Sequence, residues 1–157
     1  MATGTKSATH TLKITRTFRA PREKVFRAWT DPEALKQWWG PPGYECPEAQ
    51  LDLRAGGTYR LAMRKLPDGE VFYLSGAHRE VRPPQRLVYT WRWESQPEMG
   101  ETLVTVEFLD RAGATEVVLL HELFPSEPVR NDHDKGWNGC LDRLATSLGV
   151  ARPGQKA

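Results

Sequence analysis

The sequence predicts an α+β fold: a curved antiparallel sheet packed on one long C-terminal helix, with two short helices after the first strand. Three observations carry this. From Ser126 to Gly149, Val129, Trp137, Cys140, Leu141, Leu144 and Leu148 recur at helical spacing and form one apolar face. From residue 49 to 124 the apolar residues recur instead with a period of two, punctuated by turn signals, as in an antiparallel sheet. Between the first strand and that sheet, Pro21 and Pro32 stand where helices open. The helix needs a broad partner and the sheet supplies one, so the helices segregate to one face.

His10 to Phe18 alternates, with Leu12, Ile14 and Phe18 on one side, Arg16 interrupting them, and threonines on the other, which predicts a strand. Ala20-Pro21 opens a short helix whose apolar side is Val25, Phe26 and Trp29. Asp31 caps a second one, with Pro32 at its first position and Leu35, Trp38 and Trp39 as apolar residues. Gly40-Pro41-Pro42-Gly43 stops it. Strands follow at Leu51–Arg54, Tyr59–Arg64, Val71–Val81, Leu87–Glu94, Val104–Phe108 and Val117–Leu123. Gly56-Gly57, Pro67-Asp68-Gly69, Pro83-Pro84, Pro97 to Gly100 and Asp110 to Ala114 separate them.

The last helix is capped by Ser126, tolerates Pro128 in its first turn and ends at Gly149. It spans about 23 residues and roughly 35 Å. Asn131, Lys135, Asn138, Asp142, Arg143 and Thr146 are read as its water face. His133 lies on the apolar stripe, and Gly136 and Gly139 sit mid-helix. The glycines mark either close packing or a place where a ligand or backbone approaches.

The chain has 157 residues and a formal charge of +2, with arginines interleaved among acids, so no nucleic-acid footprint is expected. Met1 to Thr9 has no apolar secretion core, and no run reaches membrane-spanning length. Cys46 and Cys140 are read as reduced thiols of a cytoplasmic protein. Residues 1–9 and 150–157 are expected as loose tails around a single domain at 10–149.

Ala20-Pro21, then Val25-Phe26-Arg27-Ala28-Trp29-Thr30-Asp31-Pro32-Glu33, resembles the opening of the SRPBCC superfamily. Trp38-Trp39-Gly40-Pro41, Asp52-Leu53-Arg54-Ala55-Gly56-Gly57, Pro83-Pro84-Gln85-Arg86-Leu87-Val88-Tyr89-Thr90-Trp91 and Gly136-Trp137 continue the resemblance. The set is similar to the branch related to the activator of the 90-kDa heat-shock-protein ATPase, from about Leu12 to Gly149. The resemblance implies a helix-grip fold, as in lipid-transfer START domains and the birch-pollen allergen, with an apolar ligand held between helix and sheet. It also implies a superfamily of carriers, cyclases and hydrolases, in which fold alone does not set function.

Alternation places Tyr59, Leu61, Met63, Leu87, Tyr89, Trp91, Val104, Val106, Phe108, Val117, Leu119 and His121 on the sheet face under the helix. Trp137, Leu141, Leu144 and Leu148 close it. Those residues form either a filled core or an aromatic-walled pocket. His121 and His133 are its polar candidates, each able to orient a ligand or exchange protons near neutral pH, or else simply hydrogen-bonded in the core. Arg79, sharing a strand face with Tyr73 and Ala77, is expected either to meet an acidic ligand group or to sit at the rim. No metal-ligand spacing, nucleophile elbow, phosphate loop or cofactor fingerprint is present.

The leading expectation is a binding protein for a small apolar or aromatic ligand, as a monomer or homodimer. The alternatives are an enzyme of cyclase or hydrolase type using the same cavity, and a protein-interaction module such as a chaperone ATPase regulator.

Overall fold

The computed structural model describes residues 10–149. The expected tails at 1–9 and 150–157 lie outside the described residues. Strand β1 (His10–Phe18) leads into helices α1 (Arg22–Thr30) and α2 (Pro32–Trp38). Seven further strands follow: β2 (Tyr44–Glu45), β3 (Ala49–Leu51), β4 (Thr58–Lys65), β5 (Val71–Arg82), β6 (Arg86–Trp93), β7 (Thr102–Arg111) and β8 (Ala114–Phe124). Helix α3 (Glu127–Ser147) ends the described chain. The sheet order is β1-β8-β7-β6-β5-β4-β2, with β3 also paired to β4, and all pairings are antiparallel. Curled around α3, this sheet makes a helix-grip fold of the α+β class.

Local chemistry accounts for the element ends. Asp31 accepts the Glu33 N–H and Pro32 follows, so α2 starts as expected. Ser126 accepts the Val129 N–H at 3.3 Å and caps α3. Gly149 closes it in the left-handed region, φ +79°. Part of the interface between sheet and α3 is filled: Val104, Val106, Phe108 and Leu119 of the sheet and Leu141 and Leu144 of the helix are wholly buried. Phe26 and Trp29 of α1 meet Phe108 edge-on at 5.2 and 5.4 Å, closing the far end.

Two strand expectations change. The strand foreseen at Leu51–Arg54 is Ala49–Leu51, and Leu53 is exposed. Asp52 takes the Arg54 side chain at 2.9 Å and the Arg54 N–H on its carbonyl, turning the chain before another strand residue can form. In β8, Leu123 faces out and Phe124 in. Between the pairs Leu12↔His121 and His10↔Phe124, β8 has one residue more than β1, and Leu123 absorbs it at φ 75°. In β5 a second register shift lies between His78 and Glu80.

Arg16 corrects the water face of α3. Its guanidinium donates to Asp142 at 2.7 Å and to Asn138 at 3.0 Å, tying β1 to the helix. Arg143 also leaves the water face, and its Nη1 donates to the carbonyls of Gly40 at 2.7 Å and Tyr44 at 3.1 Å. That pins the segment after α2 against the second half of α3.

Candidate functional site

Helix α3 is tightly packed along only part of its length. Its buried residues, Trp137, Cys140, Leu141, Leu144 and Ala145, all fall in the second half. Around the middle of α3, His133 and Gly136 stand where bulky apolar residues would be needed, and helix and sheet do not close there. The space left is a cavity of about 420 Å³. Its walls come from the segment after α2 (Trp39, Gly40, Pro41, Tyr44), from β4 to β6 and the following turn (Met63, Phe72, Trp91, Trp93, Ser95, Gln96), and from α3 (Asp132, His133, Gly136, Trp137, Cys140).

Four of the six tryptophans wall this space. Trp38 and Trp39 part company at the end of α2. Trp38 stays inside, donating its indole N–H to the Ala28 carbonyl at 2.9 Å, while Trp39, in extended backbone, turns to the cavity. Trp39 and Trp91 also wall a chamber of about 20 Å³ deeper in the sheet, beside Trp29, Tyr59, His78 and Tyr89. Volume of that order suits a single water.

The two histidines converge, with ring centroids 5.5 Å apart, and each holds an indole. His133 Nδ1–H donates to the Val129 carbonyl at 2.8 Å, leaving Nε2 to accept the Trp93 N–H at 3.0 Å. His121 Nδ1 accepts the Trp137 N–H at 3.1 Å. His121 Nε2–H then donates to the Thr102 hydroxyl at 2.8 Å, and that hydroxyl donates to the Trp91 carbonyl at 3.2 Å. Burial lowers both histidine pKa values, that of His121 well below the ordinary value. Both rings are therefore neutral, with each nitrogen already engaged. In this arrangement they position tryptophans and leave no lone pair or proton for a substrate.

Of the residues expected around a ligand, Met63, Trp91, His133 and Trp137 line the cavity. Tyr59, Leu61 and Tyr89 line the inner chamber instead. Val106, Phe108, Leu119, Leu141 and His121 are fully buried in the packed core. Arg79 is corrected: its side chain is 61% exposed and lies 3.7 Å from Glu101. The inward face of β5 is the opposite one, with Leu74 and His78 buried and Tyr73 outside under the Arg60 guanidinium at 3.7 Å. Apolar residues occur on both faces of Val71–Leu74, so alternation there had no unique solution.

Sequence reasoning missed Trp39, Gly40, Pro41, Tyr44, Phe72, Ser95, Gln96, Asp132 and Cys140 as lining. The stop signal after Trp39 was visible, but not that the loop folds back under Arg143. Gly136 and Gly139 divide the two roles considered for them. A side chain at Gly136 would meet nothing within 4 Å, because the cavity lies there. At Gly139 a Cβ would stand 2.7 Å from Pro42 Cδ and 3.4 Å from Pro41 Cβ, so glycine there permits close packing. Cys140 is buried, and burial pushes its thiol up to about 12, which suits a small apolar wall residue.

No helix among the described residues is long and apolar enough to cross a membrane. Residues 19–149 match the family model described as activator of Hsp90 ATPase homolog 1-like protein. Over 134 residues the chain is 27% identical to the human activator of 90 kDa heat shock protein ATPase homolog 1, covering 85% of this chain and 35% of that protein. It thus spans about a third of the length of the curated relatives it matches, the mouse protein included. Among solved structures, the AHSA1 protein of Silicibacter pomeroyi is 28% identical with a TM-score of 0.79, covering 89% of this chain and 98% of that one. A Chromobacterium violaceum protein is 27% identical with a TM-score of 0.79, covering 87% and 94%. The motifs from Ala20-Pro21 to Gly136-Trp137, the helix-grip fold and the match across residues 19–149 agree: the chain belongs to the activator of Hsp90 ATPase homolog 1-like family of the SRPBCC superfamily.

Proposed function

We propose that this protein binds a small, largely apolar or aromatic ligand between the middle of α3, from Asp132 to Cys140, and the sheet. The observation that carries the reading is the cavity of about 420 Å³ walled by Trp39, Trp91, Trp93 and Trp137. That volume lies within the range of small-molecule sites, which are mostly apolar with a few placed polar groups. Two of the indoles are held by hydrogen bonds to neutral histidines, so the walls are preorganised.

The experiment is tryptophan fluorescence and thermal unfolding against a panel of small aromatic compounds, on the wild type and on Gly136→Leu. Leucine at that helical position projects into the cavity, where nothing lies within 4 Å of the Cβ. Saturable quenching with a matching rise in Tm is expected for the wild type. Loss of both in a stably folded Gly136→Leu is expected as well. Unchanged binding by the plugged variant would overturn the reading.

A second reading follows from the human relative, an activator of 90 kDa heat shock protein ATPase homolog, 27% identical over 85% of this chain. In that reading the domain docks on a chaperone of that class and alters its ATP turnover. A chaperone ATPase assay with and without the protein tests it, and unchanged turnover together with no co-sedimentation would remove it.

A further inference from the structure

We infer that the cavity selects a positively charged ligand, an organic ammonium carried on an aromatic or apolar body. This rests on the proposal above that the cavity is a binding site. Its walls have the composition of a cation cage. Trp39, Trp91 and Trp93 stand at 39 to 87° to one another, with centroids 5.7 to 6.3 Å apart, so they pack as one aromatic cluster along the wall. Trp137 adds a fourth ring, 5.3 Å from Trp91. An indole face carries the negative end of the ring quadrupole and is the best aromatic surface for a cation. The electropositive N–H edges of Trp93 and Trp137 are donated to His133 and His121, whereas the buried Trp91 N–H has no partner among the described residues.

The charges agree in sign. Asp132 is the one Asp, Glu, Lys or Arg among the described lining residues, and it is exposed at the mouth beside His133. Neutral His133 adds no positive charge to the wall. Arg143 lies behind the Gly40 and Tyr44 wall, and its guanidinium donates to those two carbonyls. An anion would face a carboxylate with no lining cation to answer it. A neutral aromatic would use the walls and leave Asp132 without a role. The volume of about 420 Å³ lies within the range of small-molecule sites, enough for a quaternary ammonium with one aromatic ring.

The test uses three compounds of nearly one shape: benzyltrimethylammonium, its neutral carbon isostere neopentylbenzene, and the benzylsulfonate anion. Binding is measured by calorimetric titration at low and high salt, on the wild type, Asp132→Asn and Gly136→Leu. The expected result is at least tenfold tighter binding of the cation than of the neutral isostere, with the anion weakest. Asp132→Asn should weaken the cation about threefold or more and leave neopentylbenzene unchanged. Neutral binding as tight as the cation, or an anion preference, overturns the charge inference and leaves the cavity proposal standing. A cation preference untouched by Asp132→Asn overturns the assignment to this carboxylate. If none of the three binds, or if binding survives Gly136→Leu, the cavity proposal falls and this inference falls with it.

Discussion

Gly136→Ala and Gly139→Ala make the same chemical change three residues apart in one helix, yet they are expected to move stability in opposite directions. Propensity alone favours alanine over glycine by about 1 kcal/mol in a helix interior. At Gly136 nothing opposes that gain, since a Cβ meets nothing within 4 Å. The expected outcome is stabilisation of about 1 kcal/mol, roughly 2–4 °C in Tm for a chain of this size. At Gly139 the Cβ would lie 2.7 Å from Pro42 Cδ, well inside the ordinary carbon–carbon separation of about 3.5–4.0 Å. Pro42 Cδ is a ring atom and cannot swing away as a flexible side chain would, and the Arg143 bonds to Gly40 and Tyr44 hold the loop. Overpacking of this kind costs about 1–3 kcal/mol, which outweighs the propensity gain at most of that range. A net loss of about 0–2 kcal/mol is expected, and a separation of about 1–3 kcal/mol between the variants. Urea unfolding with both slope and midpoint fitted measures it. Equal stabilisation by both alanines would refute the close approach of Pro41-Pro42 to α3. Destabilisation by Gly136→Ala would refute the open space beside that residue.

Other outcomes follow from the same geometry. Arg143→Met removes the charged donor shared by the Gly40 and Tyr44 carbonyls. A loss of about 2 kcal/mol in urea unfolding is expected, from charged hydrogen bonds of about 1.5–3 kcal/mol in partly exposed surroundings, together with weaker ligand binding. Arg79→Met is expected to leave ligand binding unchanged and stability within about 0.5 kcal/mol, because its partner Glu101 is 3.7 Å away at the surface. His78, His121 and His133 all have pKa values lowered, chiefly by burial. The unfolded chain therefore takes up protons first as pH falls through the ordinary histidine value of 6.5, and the folded chain only at lower pH. Stability is expected to be full above pH 6.5 and to fall progressively below it, read as a lower urea midpoint at pH 5.5 than at pH 7.5.

The legible parts of the fold were those where one interaction decides. Ser126, Pro128 and Gly149 marked the ends of α3 because caps act locally, and Asp31-Pro32 did the same for α2. Alternation placed β4, β7 and most of β8 because each buries mainly one face, and it placed β6 although both faces of that strand are buried. It failed where the chain changes register. Leu123 and Phe124 exchange faces through one extra residue, and no single-strand pattern reveals what the partner strand lacks. Arg79 followed from reading β5 by its odd-numbered face, although Val71–Leu74 is apolar on both sides.

The cavity was legible in its materials more than in its place. Trp91, Trp137 and His133 were expected near a ligand and line the cavity. His121 was expected to share that role and instead stands behind Trp91 and Trp137 with both nitrogens engaged. Which half of the sheet face is packed and which stays open depends on where small residues of α3 fall opposite large ones of the sheet. That is a property of the assembled pair, not of either element. Trp39 illustrates the same limit: its orientation is set by the backbone break after Trp38 and by Arg143, 104 residues away.

The most direct test is the indole ¹⁵N spectrum of the six tryptophans, titrated with the aromatic panel. Ligand in the cavity is expected to shift the Trp39, Trp91, Trp93 and Trp137 signals while Trp38, fully buried outside the lining and bonded to the Ala28 carbonyl, stays fixed. Saturable binding that moves none of those four, or that moves Trp38 alone, would contradict a ligand site between α3 and the sheet.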